Sequence, residues 1–275
     1  MKKHRVLFFA VLLMAVFSLS SCVKKDLYED DADVTSASDH ASGDQASSDV
    51  LSMADAAASG NASFRLASPE DRMMGCAVIT RDSINHIITI DFGTGCPGTW
   101  DGRVRKGKII ITHTGGSYFD SLSVKTITFE NYYVNDNHIE GTHVVTNNGR
   151  NAAGHYNWTV LAQNMKITAP DGQFHTFTSM RNRELLVGDQ TMTNWHDDEY
   201  SITVSTDGIN RRGIAYHAES SVPLHRAMSC HWIDSGKMII TPTGKPVRTV
   251  DYGSGTCDAV ATVTVRNRTF NITLK

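Results

Sequence analysis

Several features that would assign a function directly are missing from this sequence of 275 residues. Its longest apolar run, Val6 to Phe17, has twelve residues, whereas about twenty are needed to cross a bilayer core, so no transmembrane helix is predicted. It has no Cys-x-x-Cys pair, which zinc sites favour, and no Gly-x-Ser-x-Gly elbow for a nucleophilic serine. With 26 basic and 29 acidic residues, it also has no excess of positive charge that would attract nucleic acid.

The N-terminus has the order of a secretory signal: basic residues at positions 2, 3 and 5, the apolar run, then small residues. The segment that follows, Leu19-Ser20-Ser21-Cys22, resembles the lipobox cleaved by lipoprotein signal peptidase. This resemblance implies a signal peptide over residues 1–21 and a Cys22 that carries acyl chains such as palmitate. We therefore expect a lipid anchor that holds the protein to a membrane.

The residues after Cys22 bear on which membrane face the protein occupies. Lys24 and Lys25 are followed by Asp26, and Glu29 to Asp31 are all acidic. This pattern resembles the lysine-plus-acidic export signals of surface lipoproteins in the Bacteroidetes. The resemblance implies an outer-membrane lipoprotein, with the cell surface favoured over the periplasmic face.

Residues 22–64 have the composition of a tether. Asp, Ser, Ala and Gly dominate the stretch, and neither Lys nor Arg occurs between Asp26 and Arg65. A segment of this kind buries too little apolar surface to offset its ordering entropy, so we expect an acidic, disordered tether. A short helix over Val50 to Ala58 is the one alternative, although it lacks a wide apolar face.

Residues 65–275 have the pattern of a single β-rich domain, large enough for one core. From Cys76 onward, short runs rich in Val, Ile, Thr, Tyr and Phe alternate apolar and polar residues. Residues 259–265 and 270–274 each place apolar side chains on one face and polar ones on the other. The pattern predicts an all-β fold of about fourteen antiparallel strands in a hairpin meander, as a sandwich or a partly open barrel.

Turn chemistry marks the hairpins. A turn is predicted at Arg266-Asn267-Arg268, and further turns at Asn135-Asp136-Asn137, Pro170-Asp171-Gly172, Pro242-Thr243-Gly244-Lys245 and Arg105-Lys106-Gly107-Lys108. One helix start, Ser68-Pro69-Glu70-Asp71, has a capping Ser, a Pro at the first position and acids in the first turn. It predicts one short helix before Cys76.

A motif occurs twice in the domain. Residues 89–96, Thr-Ile-Asp-Phe-Gly-Thr-Gly-Cys, return at 249–257 as Thr-Val-Asp-Tyr-Gly-Ser-Gly-Thr-Cys, and each copy has an upstream cysteine. Since neither glycine loop is followed by Lys or a helix start, the loops are interpreted as turns and not as phosphate sites. This pairing resembles a group of uncharacterised Bacteroidetes lipoproteins over most of residues 76–275. The resemblance implies an exported all-β protein and implies no activity.

Four cysteines remain after Cys22, and an even number in an exported chain predicts disulfides. Three pairings are open. In each repeat the first cysteine opens one strand and the second closes the returning strand, which favours Cys76 with Cys96 and Cys230 with Cys257. A site of four thiolates is the alternative, and Cys76 joined to Cys257 would mean that the two repeats close against each other.

Twelve histidines suggest a metal, but their spacing does not support one. His138 and Glu140 share a strand face, whereas His143 is expected on the other face unless a bulge at Gly141 resets the alternation. The residues His196 to Glu199 are consecutive, which suits a solvated loop. The sequence therefore predicts no metal and no cofactor.

Two acids stand at equivalent positions of the repeat. Asp91 and Asp251 could be the paired carboxylates of a glycoside hydrolase if they lay about 5 to 10 Å apart. The favoured interpretation is that each caps its turn by accepting from a backbone amide.

These observations favour a non-enzymatic binding module over an enzyme. The expected ligands are a glycan or a surface protein, held by strand faces rich in Thr, Asn, Tyr and His, and nucleic acid is excluded. The first alternative is a hydrolase of cell-surface polymers that uses Asp91 and Asp251 or the acidic loop at 197–199. The second is a lipid-carrying half-barrel with a large internal cavity.

Overall fold

A computed structural model describes residues 31–59, 74–99, 101–191 and 197–274. These residues form one α-helix and fourteen β-strands, which confirms the predicted all-β fold. The elements are α1 Thr35–Ser59, β1 Val78–Asp82, β2 Ile87–Asp91, β3 Cys96–Pro97, β4 Val104–His113, β5 Val124–Val134, β6 Asn137–Arg150, β7 Tyr156–Thr168, β8 Phe174–Val187, β9 Glu199–Ile209, β10 Ala215–Ala227, β11 Ser235–Pro242, β12 Arg248–Ser254, β13 Val260–Val265 and β14 Arg268–Thr273. The predicted helix start at Ser68 lies outside the described residues.

The strands form one antiparallel meander. Each strand pairs with its neighbours in the sequence, except that β2 pairs directly with β4 and the two-residue β3 also pairs with β4. Among the described strands, β1 and β14 each have a neighbour on one side only, so the sheet is open. The architecture is therefore a single continuous sheet, and not two sheets packed as a sandwich.

The tightest turns have the predicted residues. Asn135 and Asp136 form a two-residue loop between β5 and β6, with φ of 46° and 62°. Positive φ at both central residues defines the type I′ turn, whose twist matches that of the flanking strands. The turns predicted at 170–172, 242–245 and 266–268 likewise join β7 to β8, β11 to β12 and β13 to β14.

The turn predicted at Arg105 to Lys108 is wrong, because β4 runs through it as a bulge. The pairing with β5 shifts between Lys106 and Lys108, and Gly107 has a φ of +78°. A Cβ on Gly107 would lie 1.9 Å from the carbonyl oxygen of Asn131. Gly107 is therefore required by the close approach of two strands at a bulge. From sequence alone, a glycine in such a bulge has the same signature as a glycine in a turn.

The disordered tether predicted over residues 22–64 does not hold for residues 35–59, which form α1. Eighteen of the 25 helical residues are buried, on all sides of the helix. A flat sheet would cover only one side of a helix, so the sheet curves around α1. Small residues allow this close packing: a Cβ on Gly43 would lie 2.7 Å from the ring of Phe177.

The core lies between α1 and the concave face of the sheet. The C-terminal half of α1, from Val50 to Ala57, packs with inward side chains of β2 to β8. Its N-terminal half contributes Ala37 and Ala41 to a second cluster built mainly from β9 to β14. Both halves of the sheet are thus joined through the helix.

The structure pairs Cys76 with Cys96 and Cys230 with Cys257, as the repeat predicts. The Cα atoms are 5.5 Å apart in the first pair and 5.6 Å apart in the second. Each disulfide joins the two ends of its own repeat, so the structure contains local pairings and no Cys76–Cys257 bond.

Candidate functional site

The acids of residues 31–55 meet basic side chains of the sheet. Six carboxylates of the helix and of the residues before it each have a cationic partner on a strand or on a connection between strands. The pairs are Asp31–Arg248 (2.6 Å), Asp33–Lys245 (2.5 Å), Asp39–Arg211, Asp44–Arg181, Asp49–Arg103 (2.5 Å) and Asp55–Arg183 (3.3 Å). The interior is therefore held by charge complementarity as well as by apolar contact.

Burial sets the protonation of the interior groups. Desolvation and the charge of Arg181 lower the pKa of His143 to about 3, and neither of its ring nitrogens has a hydrogen-bond partner among the described residues. Desolvation also lowers the pKa of His231 to about 4. Both histidines are neutral at pH 7, so the fixed charges inside the sheet are those of Asp, Arg and Lys.

Three potential metal ligands come together in the interior: Asp49, Asp101 and His231 have ligand atoms within 4.8 Å of one another. Each carboxylate already binds a guanidinium, since Arg103 Nη1 lies 2.5 Å from Asp49 and Arg105 Nη2 lies 2.6 Å from Asp101. The arrangement is thus an ion-pair network of the protein itself. Sequence reasoning missed this cluster because Asp49 fell in the predicted tether.

Asp91 and Asp251 cap their turns, as the favoured interpretation predicts. Asp91 Oδ1 accepts from the backbone N–H of Gly93 at 2.8 Å, and Asp251 Oδ1 accepts from that of Gly253 at 2.9 Å. Asp251 also pairs with Lys237 at 2.9 Å. Eight strands lie between β2 and β12 in the pairing order, so the two acids have separate partners in separate parts of the sheet.

The acidic loop divides its side chains among different partners. Asp197 accepts from the hydroxyl of Thr191 at 2.7 Å, and Glu199 lies 3.4 Å from His225. Asp198 accepts from the hydroxyl of Tyr200, and burial raises the pKa of its carboxyl to about 6. The remaining member of the predicted group, His196, lies outside the described residues.

The three candidate ligands on β6 are split between the two faces of the sheet. His138 stacks on Tyr133 and lies 3.7 Å from Glu140, with both side chains partly exposed. His143 points into the core, in phase with Ile139 and Val145. The structure therefore separates His143 from the other two, as the alternation of the strand predicts.

An open groove of about 700 Å³ crosses the outer face of β7 to β11. Its main polar feature is a row of four side chains in register across adjacent strands, which we call the polar row: Thr178, Asp207, His217 and Thr241. With strands about 4.8 Å apart, the row is about 14 Å long. Within it, His217 Nδ1 lies 2.8 Å from Asp207 Oδ1.

Beside the polar row the lining of the groove is mixed, because Lys166 pairs with Thr176 there. Two residues further along the same strands, Thr176 and Ile209 face each other, and Ile209 pairs with Ala215. Hydroxyl, carboxylate and imidazole groups beside the apolar side chain of Ile209 can bind a polar ligand that also has an apolar face.

Comparisons with known proteins assign no family. No family model, no curated protein and no solved structure matches the chain. The one helix in the described part of the chain is not apolar enough to cross a bilayer. Cys22 and the signal-like segment lie outside the described residues.

Proposed function

We propose that this chain is an exported lipoprotein, anchored to the outer membrane through Cys22, whose folded body is a non-enzymatic binding module. The observation that carries the binding role is the outer groove with its polar row. The row offers hydrogen-bond donors and acceptors at regular spacing on the outer face of the sheet, and the exposed apolar side chain of Ile209 lies beside it. A glycan, which has both hydroxyl groups and apolar ring faces, is the ligand class with this pattern.

A non-enzymatic role is supported by how the candidate catalytic groups are used. Asp91 and Asp251 bond to turn amides, and the acids of residues 197–199 are shared among Tyr, Thr and His partners. The interior, where a lipid carrier would need a cavity, is filled by α1. The outer face of the sheet is therefore the better candidate for binding.

The binding role is tested with a glycan array probed by the full chain carrying Cys22→Ala, together with variants of the groove. Ala215→Leu places a larger side chain in the groove at an exposed position, and Thr178→Val with Thr241→Val removes two hydroxyls without changing side-chain shape. We expect the Thr double variant to lose tenfold or more in affinity for the glycans that the parent binds, because two missing hydrogen bonds at about 1 kcal/mol each cost about 2 kcal/mol. Ala215→Leu should also weaken binding, because its larger side chain occupies space in the groove.

A matched control is Thr264→Val, on the outer face of β13 away from the groove, which should leave binding unchanged. Equal losses in the control and in the groove variants would contradict the assignment. So would an array on which the parent binds nothing. The anchor is tested separately, since Cys22→Ala should move the protein from the membrane fraction to the soluble fraction.

A further inference from the structure

A small, largely enclosed cavity lies between α1 and the inner face of β7 to β10. Its volume is about 10 Å³, which is the space that one water-sized sphere occupies. Leu51 of α1, Val160 of β7 and Ile202 of β9 form an apolar part of its wall. The cavity therefore has room for one small molecule or one monatomic ion, and an extended ligand does not fit.

The polar part of the wall consists of three guanidinium groups and one hydroxyl. Arg181 and Arg183 are two residues apart on β8, so their side chains share the inner face of the sheet. Arg226 joins them from β10, and Ser48 of α1 supplies the hydroxyl. Arg181 and Arg226 are only 3% and 4% exposed. None of the described residues that line the cavity is an Asp or a Glu, so its charged lining is entirely positive.

The guanidiniums of β8 keep hydrogen-bond donors beyond those used in their ion pairs, since each guanidinium has five N–H donors. Arg181 donates to Asp44 through Nη2 and to the hydroxyl of Ser48 through Nη1. Its buried Nε has no hydrogen-bond partner among the described residues. Arg183 pairs with Asp55 through Nη1 at 3.3 Å. Because a buried charged donor without an acceptor is unfavourable, this site favours an acceptor inside the cavity.

The charge of the wall favours an anion over a water molecule as that acceptor. Asp44 and Asp55 pair with two of the arginines but do not line the cavity. An anion inside the cavity is attracted by all three guanidiniums, and this attraction is stronger in a buried site than in water. The volume selects the kind of anion, because a carboxylate, phosphate or sulfate group needs room for several heavy atoms. A halide ion meets both requirements.

We propose that this cavity is a halide site that binds one chloride ion through the three guanidiniums and the hydroxyl of Ser48. The guanidiniums donate charge-assisted hydrogen bonds to the ion. The Ser48 hydroxyl accepts from Arg181, so its own proton is available to the ion. Since Ser48 belongs to α1 and the arginines belong to β8 and β10, the bound ion links the helix to the sheet. The site lies on the inner face of the strands that carry the groove on their outer face, and it does not depend on glycan binding.

The test is urea unfolding of the full chain carrying Cys22→Ala at constant ionic strength, with chloride exchanged for gluconate, an anion too large for the cavity. One chloride bound by the folded chain alone should raise the folding equilibrium constant about tenfold for each tenfold rise in chloride above its dissociation constant. Val160→Ile adds a methyl group to the cavity wall and should abolish this rise. The matched control, Val204→Ile, makes the same change at a buried position of β9 that does not line the cavity, and it should keep the rise.

General effects of salt on stability act on the parent and on both variants alike, so the difference between their chloride slopes reports the site. Equal slopes in Val160→Ile and Val204→Ile would overturn the proposal, whether both slopes are steep or both are flat. Crystals grown in sodium bromide locate the ion directly, because bromide scatters X-rays anomalously. One bromide in contact with at least two of the three guanidiniums is the expected result, and a water molecule in that place would contradict the assignment.

Discussion

The ion pair between Asp44 and Arg181 gives the sharpest test of the buried helix. Both residues are almost fully buried, at 5% and 3% exposure, and Arg181 also reaches Ser48 at 3.3 Å. Asp44→Asn would leave the guanidinium charge of Arg181 buried without its partner. Removing one member of a buried ion pair costs about 3–5 kcal/mol, which is a large part of the 5–15 kcal/mol that stabilises a typical domain.

The measurement is urea unfolding of the Cys22→Ala chain with its disulfides intact, followed by tryptophan fluorescence. Asp44→Asn should lower the free energy of unfolding by about 3–5 kcal/mol, whereas Glu219→Gln, an exposed control on β10, should change it by less than about 0.5 kcal/mol. Combining Asp44→Asn with Arg181→Met should cost less than the sum of the single changes, because the second change removes the orphaned charge. If Asp44→Asn behaved like the control, residues 35–59 would not be packed inside the sheet.

Three further outcomes are expected. The pKa of His143 is lowered to about 3 in the folded state, so on acidification the unfolded chain binds this proton first. The free energy of unfolding should therefore have its full value above about pH 6.5 and fall by up to about 1.4 kcal/mol per pH unit below it. His143→Leu should flatten this slope, which is measured from urea midpoints at each pH. Gly107→Ala combines positive φ with a clash and should cost well over 2 kcal/mol in the same assay, whereas Gly172→Ala, with a φ of +83° and open space around its Cβ, should cost about 1 kcal/mol. Non-reducing peptide mapping of exported protein should show Cys76–Cys96 and Cys230–Cys257, and each bond should contribute roughly 3 kcal/mol on the entropic model; four free thiols would contradict both.

The strands and turns were predictable because their signals are local. Alternation of apolar and polar residues at a period of two defines a strand, and Asn-Asp or Pro-Asp-Gly between two such runs defines a hairpin. The capping roles of Asp91 and Asp251 follow from the same local chemistry. The bulge at Gly107 was missed because a glycine among basic residues has the same composition in a turn and in a bulge.

A helix over Val50 to Ala58 was only an alternative to disorder in the sequence, and the rest of α1 was missed, because the burial of the helix depends on partners far away in the sequence. Its residues are small and polar, so composition alone favours disorder. Its partners on the strands are basic residues at inward positions, since Lys125 is in phase with Ile127 and Arg181 is in phase with Phe177. Basic residues at inward positions of several strands, together with Asp39, Asp44 and Asp49 at five-residue intervals, are the signal that could have indicated it.

The capture of α1 by the sheet also determines when the fold can be completed. Asp31 and Arg248 are 217 residues apart in the chain, and both halves of the sheet contact the helix. A chain that emerges N-terminus first presents α1 before any strand exists, yet the cationic partner of Asp31 is among the last residues to appear. Contacts of this separation slow folding, since a long loop must close before they form. The contacts of α1 with the sheet can therefore be completed only after β12 has been synthesised.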